Sequence, residues 1–153
     1  MKRERLLGVV AGLVLTCCLS AVAQEKGIWH AASSTAQSIT GDIVISDEKL
    51  SINFSSFVIS RIRALSPGEV SSVFDAASSA GINGNLYRLN IAAAQKFLHK
   101  NTLCGTDSTQ WMATYVTGRS LRIAFFSGPK PPVFAPEAIA NSTELCGIYS
   151  YER

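Results

Sequence analysis

Few side chains in this sequence are placed to do chemistry. Its histidines are His30 and His99, far apart in the chain. A nucleophilic triad needs a nucleophile, a histidine base and an orienting carboxylate. Serines abound, but many come in pairs, such as Ser33-Ser34, Ser55-Ser56, Ser71-Ser72 and Ser78-Ser79, which read as solubilising positions. No G-x-S-x-G elbow is present. Metal ligation needs donors at short, regular spacing, and the sequence has no H-x-x-x-H, no CxxC and no aspartate-rich calcium loop. Paired carboxylates would suit glycoside hydrolysis. Asp42, Asp47, Asp75 and Asp107 read more simply as turn-capping or solvent-facing groups, with Asp42 singled out because it follows Gly41 inside an expected strand. The expectation is a non-enzymatic protein with no metal and no cofactor.

Binding is the better-supported class. Arg61 and Arg63 lie two residues apart, so on an extended chain they share a face. With Arg88 on a neighbouring strand they would form a basic strip for an anion or a partner's carboxylate. The plainer alternative is a solvated sheet face. Tyr149 and Tyr151 share a strand face, and with Trp111 and Tyr115 they would line a binding surface or point into the core. Pro129-Lys130-Pro131-Pro132 is formally a PxxP segment, read here as a rigid loop. Asn53 and Asn141 begin N-x-S/T triplets, relevant only in a glycosylating host.

The elements that would position these groups are mostly strands. Ile39, Gly41, Ile43 and Ile45 alternate with Thr40, Asp42 and Val44, and residues 47–49 read as a turn. Leu50, Ile52 and Phe54 continue on the return strand. Residues 57–65 remain extended. Ser66-Pro67-Gly68-Glu69 reads as a capped helix start or as a hairpin turn, with a short helix within 67–80 preferred. Residues 81–84 carry turn chemistry, and Tyr87, Leu89 and Ile91 then share a face. Residues 95–99 suit either a turn of helix or a short strand. Residues 111–117 and 121–126 alternate around Gly118-Arg119 as the clearest hairpin. Four prolines within residues 127–141 exclude a central strand there. A last strand covers residues 145–151, with Leu145, Gly147, Tyr149 and Tyr151 on one face. The expected fold is mainly β: an antiparallel barrel or sandwich of about seven short strands, with at most one or two short helices.

Residues 1–5 read MKRER, and residues 6–23 follow without a charge and end in Ala21-Val22-Ala23. A basic start, an apolar run and a small-x-small end predict a secretory signal peptide cleaved after Ala23, in preference to a permanent span or a lipid anchor. One domain over residues 24–153 is expected. It holds 130 residues, with 11 basic and 10 acidic side chains once Lys2, Arg3, Arg5 and Glu4 are removed. A charge of +1 argues against nucleic acid as a partner. The whole chain is 47% hydrophobic and 16% charged, which excludes a disordered or collagen-like protein. Cys17 and Cys18 fall in the leader. Cys104 and Cys146 remain and, in an oxidising compartment, pair as a disulfide. Location is therefore expected to be periplasmic or secreted.

The blocks Ser38-Ile39-Thr40-Gly41-Asp42-Ile43, Leu86-Tyr87-Arg88-Leu89, Asn101-x-Leu103-Cys104-Gly105, Phe125-Phe126-Ser127-Gly128 with prolines beyond, and Leu145-Cys146-Gly147-x-Tyr149-x-Tyr151 form a pattern over most of residues 24–153. It resembles a group of small exported bacterial proteins of uncharacterised function. The resemblance implies an envelope protein with a shared disulfide and supplies no activity. His99-Lys100 stands where that pattern leads us to expect a glycine-rich turn.

The functional expectation is an exported binding domain whose partner is an envelope protein or a small ligand. A small periplasmic enzyme inhibitor, similar to lysozyme or protease inhibitors only in plan, is the alternative. A ligand carrier requires a cavity lined by Trp111, Tyr115 and Phe125. An inhibitor requires an ordered, protruding loop over residues 127–136. An enzyme requires Asp42, Arg88 and His99 to converge.

Overall fold

A computed structural model describes residues 25–76 and 83–153. Eight antiparallel strands run in sequence order and close into a barrel: β1 Gly27–Ala31, β2 Ile43–Ile45, β3 Lys49–Ile52, β4 Ser55–Ala64, β5 Asn83–Ile91, β6 Thr109–Thr117, β7 Ser120–Phe126 and β8 Leu145–Glu152. Three short helices interrupt them: α1 Ser34–Ile39, α2 Pro67–Phe74 and α3 Pro136–Ala140. The expected alternatives of barrel and sandwich thus resolve to a closed barrel with eight strands rather than about seven, and with three short helices rather than one or two. The additional strand is β1, built around Trp29, in a segment whose sequence has too short a period-two run to announce it. The expected strand beginning at Ile39 is corrected. Ile39 ends α1, Ser33 caps that helix by accepting from the Ala36 amide, and β2 starts only at Ile43. The expected leader and its expected cleavage point lie outside the described residues, as do residues 77–82 of the segment around α2.

Up-and-down topology places alternate connections at opposite ends of the barrel. One end carries α1, the β3–β4 turn, residues 92–108 and the proline segment 127–144. The other carries residues 25–26, the β2–β3 turn, the connection containing α2, and the β6–β7 hairpin at Gly118-Arg119. Phe54, expected to pack with Leu50 and Ile52, instead sits at the tip of the β3–β4 turn and is fully exposed.

Side chains fill the barrel. Trp29, Ile43, Leu50, Ile52, Leu89, Met112, Phe125, Tyr149 and Tyr151 belong to one interior cluster, each nearly or wholly inaccessible to solvent. Phe125 meets Tyr149 edge-on at 5.3 Å between centroids. The Thr40 and Tyr151 hydroxyls share a hydrogen bond of 2.7 Å beneath α1. Burial pushes the Tyr149 phenol up to about 12 and raises that of Tyr151 as well.

A second core lies outside the barrel. Leu86, Trp111, Ala113, Ala124 and Phe126 face outward from β5, β6 and β7 and are covered by Val70, Val73 and Phe74 of α2 and by Phe134. The helix forms as its sequence predicts. Ser66 accepts from the Glu69 amide while the Glu69 carboxylate accepts from the Ser66 amide, and Pro67 opens the first turn. Residues 83–84, expected as turn, are the first two residues of β5. Gly84 pairs with Tyr115, and a Cβ there would stand 2.7 Å from a Val70 methyl and 2.9 Å from the Thr114 carbonyl oxygen. Its missing side chain lets α2 lie directly on the sheet.

The disulfide joins Cys104, in the β5–β6 connection, to Cys146 in β8. Phe125 pairs with Gly147 and Phe126 with Leu145, so Cys146 is the extra residue of a β-bulge. The bulge turns Cys146 toward the interior cluster and moves Leu145 to the outer one. Leu145 therefore does not share a face with Tyr149 and Tyr151 as strict alternation predicts. Where a glycine-rich turn is expected, His99 and Lys100 themselves adopt positive φ, 54° and 60°.

Two outcomes test this architecture. Gly84→Ala destabilises the protein by about 1–3 kcal/mol through overpacking beneath α2, read as a lowered midpoint in denaturant with an unchanged slope. Cys104→Ser with Cys146→Ser costs about 4 kcal/mol by loop-closure entropy, read as a lowered midpoint with a steeper slope because the unfolded chain is no longer cross-linked. A loss under about 1 kcal/mol in both cases contradicts the packing described.

Candidate functional site

Among the described residues, Asp42, Arg88 and His99 lie in different segments and do not form one cluster. The Asp42 carboxylate bonds the His30 ring at 2.8 Å and accepts from the Ala31 amide at 2.9 Å. That hydrogen bond from His30 is the main cause of its lowered pKa. Asp42 lies before β2, outside any strand, and fastens the end of β1. Arg88 is on β5 with other partners, and His99 sits in a left-handed turn. Among the described residues, no three His, Cys, Asp or Glu side chains are grouped to hold a metal ion.

The arginine strip is corrected by a second bulge. Arg61 pairs with Tyr87 and Arg63 with Leu86, leaving Ile62 as the extra residue. Arg61 therefore falls on the Tyr87 side of the sheet and Arg63 on the outer side. The Arg61 Nε donates to Asn85 at 2.8 Å. Arg63 makes a two-pronged bond to Glu69 at 2.7 Å on each prong, and its guanidinium stands 5.8 Å from the centre of the Phe134 ring. Arg88 lies 4.6 Å over Trp111 and donates to the Gln110 side chain at 2.7 Å. Arg122 lies over Phe74 and donates to its carbonyl. Three arginines on the outer side thus clamp aromatic rings of the second core, an arrangement worth about 0.5–2 kcal/mol each.

The four aromatics expected to act together are split. Tyr149 and Tyr151 face the lumen. Trp111 and Tyr115 face outward, and Tyr115 stacks on Phe74 at 5.8 Å. Phe125 is interior, so Trp111, Tyr115 and Phe125 line no common cavity.

The outer aromatics instead anchor the proline segment. The Trp111 Nε1 donates to the Gly128 carbonyl at 3.1 Å. The Ser127 amide donates to the Glu144 carbonyl at 2.9 Å, closing the segment at its base. Gly128 has φ +90°, and the Glu144 carboxyl occupies the space a Cβ would take, 2.5 Å away. Phe134 turns inward onto Phe126, 5.9 Å edge-on, while Val133 beside it is 68% exposed. Open grooves border this segment. One of about 380 Å³ is lined by Lys130, Pro132, Val133 and Ile139 among others. A more polar one of about 510 Å³ runs past Asp107, Gln110, Ser127 and Glu144. A third, of about 490 Å³, lies where α3 meets α2. The proline content of residues 127–141 signalled the loop, but its inward Phe134 has no sequence signature.

A group that sequence reasoning missed is Glu25. It is only 7% exposed, and it accepts from Asn85 Nδ2 at 2.7 Å, from the Tyr87 hydroxyl at 2.5 Å and from the Thr114 hydroxyl at 2.5 Å. Burial, followed by the bond to Glu25, raises the Tyr87 pKa strongly. A lone glutamate two residues after an expected cleavage point carries no pattern that would reveal this.

The Arg63–Glu69 pair predicts a pH dependence. Arg63 holds Glu69 down to about 2 from an ordinary 4.5. The pair's contribution is complete above about 4.5 and is lost as pH falls through about 2. The side chains are partly exposed, so screening reduces it to on the order of 1 kcal/mol. Denaturation midpoints measured from about pH 5 to pH 2 are expected to fall more steeply for the unaltered protein than for Arg63→Ala; parallel curves contradict the assignment. Comparison with protein-family models, with curated proteins and with solved structures returns no match.

Proposed function

We propose that this chain is an exported, non-enzymatic binding domain that meets a macromolecular partner with the outside of its barrel, at the proline segment. The observation that carries the reading is the filling of the lumen. Trp29, Met112, Phe125, Tyr149 and Tyr151 take up the interior, while the grooves described above all border residues 127–144. A carrier that swallows its ligand needs an interior cavity. A surface binder needs a rigid element with exposed apolar contact. The segment is fastened at its base through Ser127 and Glu144, tied to Trp111, and presents Val133 to solvent. Preorganisation of that kind lowers the entropy cost of association.

Export is supported by the charged start and apolar run of residues 1–23 and by the Cys104–Cys146 bridge. No helix among the described residues is long and apolar enough to cross a membrane. The same fastened loop also supports the second reading, a small inhibitor that inserts residues 130–133 into an enzyme's cleft. That reading differs only in what the partner is.

Native mass spectrometry on protein exported to a bacterial periplasm is expected to give an oxidised chain cleaved after Ala23 with no retained small molecule. A stoichiometric bound ligand contradicts surface binding. In cross-linking pull-downs from envelope extract, Val133→Asp is expected to reduce capture of a specific partner by roughly tenfold or more, as loss of a central apolar contact does. Val44→Asp makes the same change at an exposed valine of β2, four strands round the barrel from β6, and leaves capture unchanged. Equal loss from both variants, or from neither, overturns the assignment to the proline segment.

A further inference from the structure

We propose that the barrel end opposite α1 is a carboxylate-binding site, which the chain itself fills with Glu25. The site is built from neighbouring strands. Asn85 and Tyr87 belong to β5 and Thr114 to β6, and Asn85 pairs directly with Thr114. Asn85 Nδ2 and the Thr114 hydroxyl converge on one carboxylate oxygen, and the Tyr87 hydroxyl reaches the other. The Asn85 amide is oriented by Arg61, whose Nε donates to its oxygen at 2.8 Å and so turns its nitrogen toward the carboxylate. A guanidinium therefore stands one hydrogen-bond step behind the anion. Donors aimed at both oxygens of a single carboxylate, inside a barrel end where Thr114 is wholly buried, form a receptor for that group.

Glu25 reaches this receptor from outside the sheet. Its residue precedes β1 and makes no strand pairing. Its carbonyl accepts from the Trp29 Nε1 at 2.7 Å, and the next carbonyl, of Lys26, accepts from Arg153 at 3.1 Å. The backbone of this strap is thus held independently of the carboxylate. The side chain acts as a tethered ligand, and the receptor's geometry does not depend on the tether.

The consequence is that a free carboxylate will occupy the site once the tethered one is removed. Glu25→Ala deletes two carbons and two oxygens, the shape of acetate. The Glu25→Ala protein is expected to gain thermal stability saturably with acetate, by about 5 °C at roughly a tenfold excess over the dissociation constant, compared with sodium chloride at equal ionic strength. Formate, too short to fill the space the truncation opens, and propionate, one carbon too long for it, give smaller shifts. The unaltered protein shows no such gain. Adding Thr114→Val to Glu25→Ala abolishes it. If Glu25→Ala does not fold unaided, acetate restores its near-ultraviolet circular dichroism and chloride does not.

A small acid and an acidic side chain of a second polypeptide share this chemistry. Acetate and N-acetylglutamate N-methylamide separate them, since only the second must also displace the strap. A stronger response to either identifies the source. Equal effects of acetate and chloride on Glu25→Ala, an acetate gain of the same size in the unaltered protein, or a gain that survives Thr114→Val overturns the proposal.

Discussion

The seam between β1 and β8 is the joint on which this fold rests. A sheet of eight strands has two edges unless its first and last strands meet, and free edges invite pairing with other chains. Here the ladder across the seam contains two residue pairs, His30 with Glu152 and Ala31 with Tyr151. By contrast, β7 and β8 share seven. The seam is reinforced from both sides. The amides of Ala32 and Ser33 donate to the Ser150 carbonyl, and the Ser33 hydroxyl accepts from the Ser150 amide. Asp42 holds the Ala31 amide, and Arg153 lies 4.2 Å over the Trp29 ring while reaching the Lys26 carbonyl. Short range in the ladder is offset by charged and aromatic contacts at each end.

Closure decides which side chains are left at the surface. Buried side chains take up the lumen, and the grooves described above lie on the outside of the barrel. One side of the barrel is no longer bare sheet. The α2 connection comes from one end and the proline segment from the other, and they meet over β5, β6 and β7. Arg63, Arg88 and Arg122 each lie against an aromatic ring of this second layer. Their guanidinium groups pack on rings of this layer, and the exposed loop is fastened at its base by the Ser127 amide on the Glu144 carbonyl. The disulfide sits at the same end of the barrel as the loop, and the bulge at Cys146 is the device that brings it into reach.

Legibility tracked the range of the interactions involved. The β6–β7 hairpin was readable because its alternation and its Gly118-Arg119 turn are local. The cap of α2 was readable because Ser66, Pro67 and Glu69 lie within four residues. The bridge followed from counting cysteines and from the expected compartment. Bulges defeated the same reasoning. One extra residue at Ile62 put Arg61 and Arg63 on opposite faces, and one at Cys146 separated Leu145 from Tyr149. A bulge is set by what the neighbouring strand needs, which a single strand's sequence does not state. Glu25 was invisible for a related reason: its donors lie 60, 62 and 89 residues away.

The sequence by itself determined that this is a mainly β chain, that residues 111–126 form a hairpin, and that proline keeps residues 127–141 out of a central strand; at Pro67 it offered a capped helix or a hairpin turn, and the structure settled the helix. Each of the first three follows from covalent geometry or from a period of two to four residues. Only the tertiary structure decided that the strands close into a ring, that apolar and aromatic side chains occupy its interior, and that aromatic side chains divide between two cores. It also decided that a buried carboxylate finds its donors on β5 and β6. These outcomes depend on which surfaces face each other across the barrel, and burial is a property of the assembled sheet, not of any segment within it.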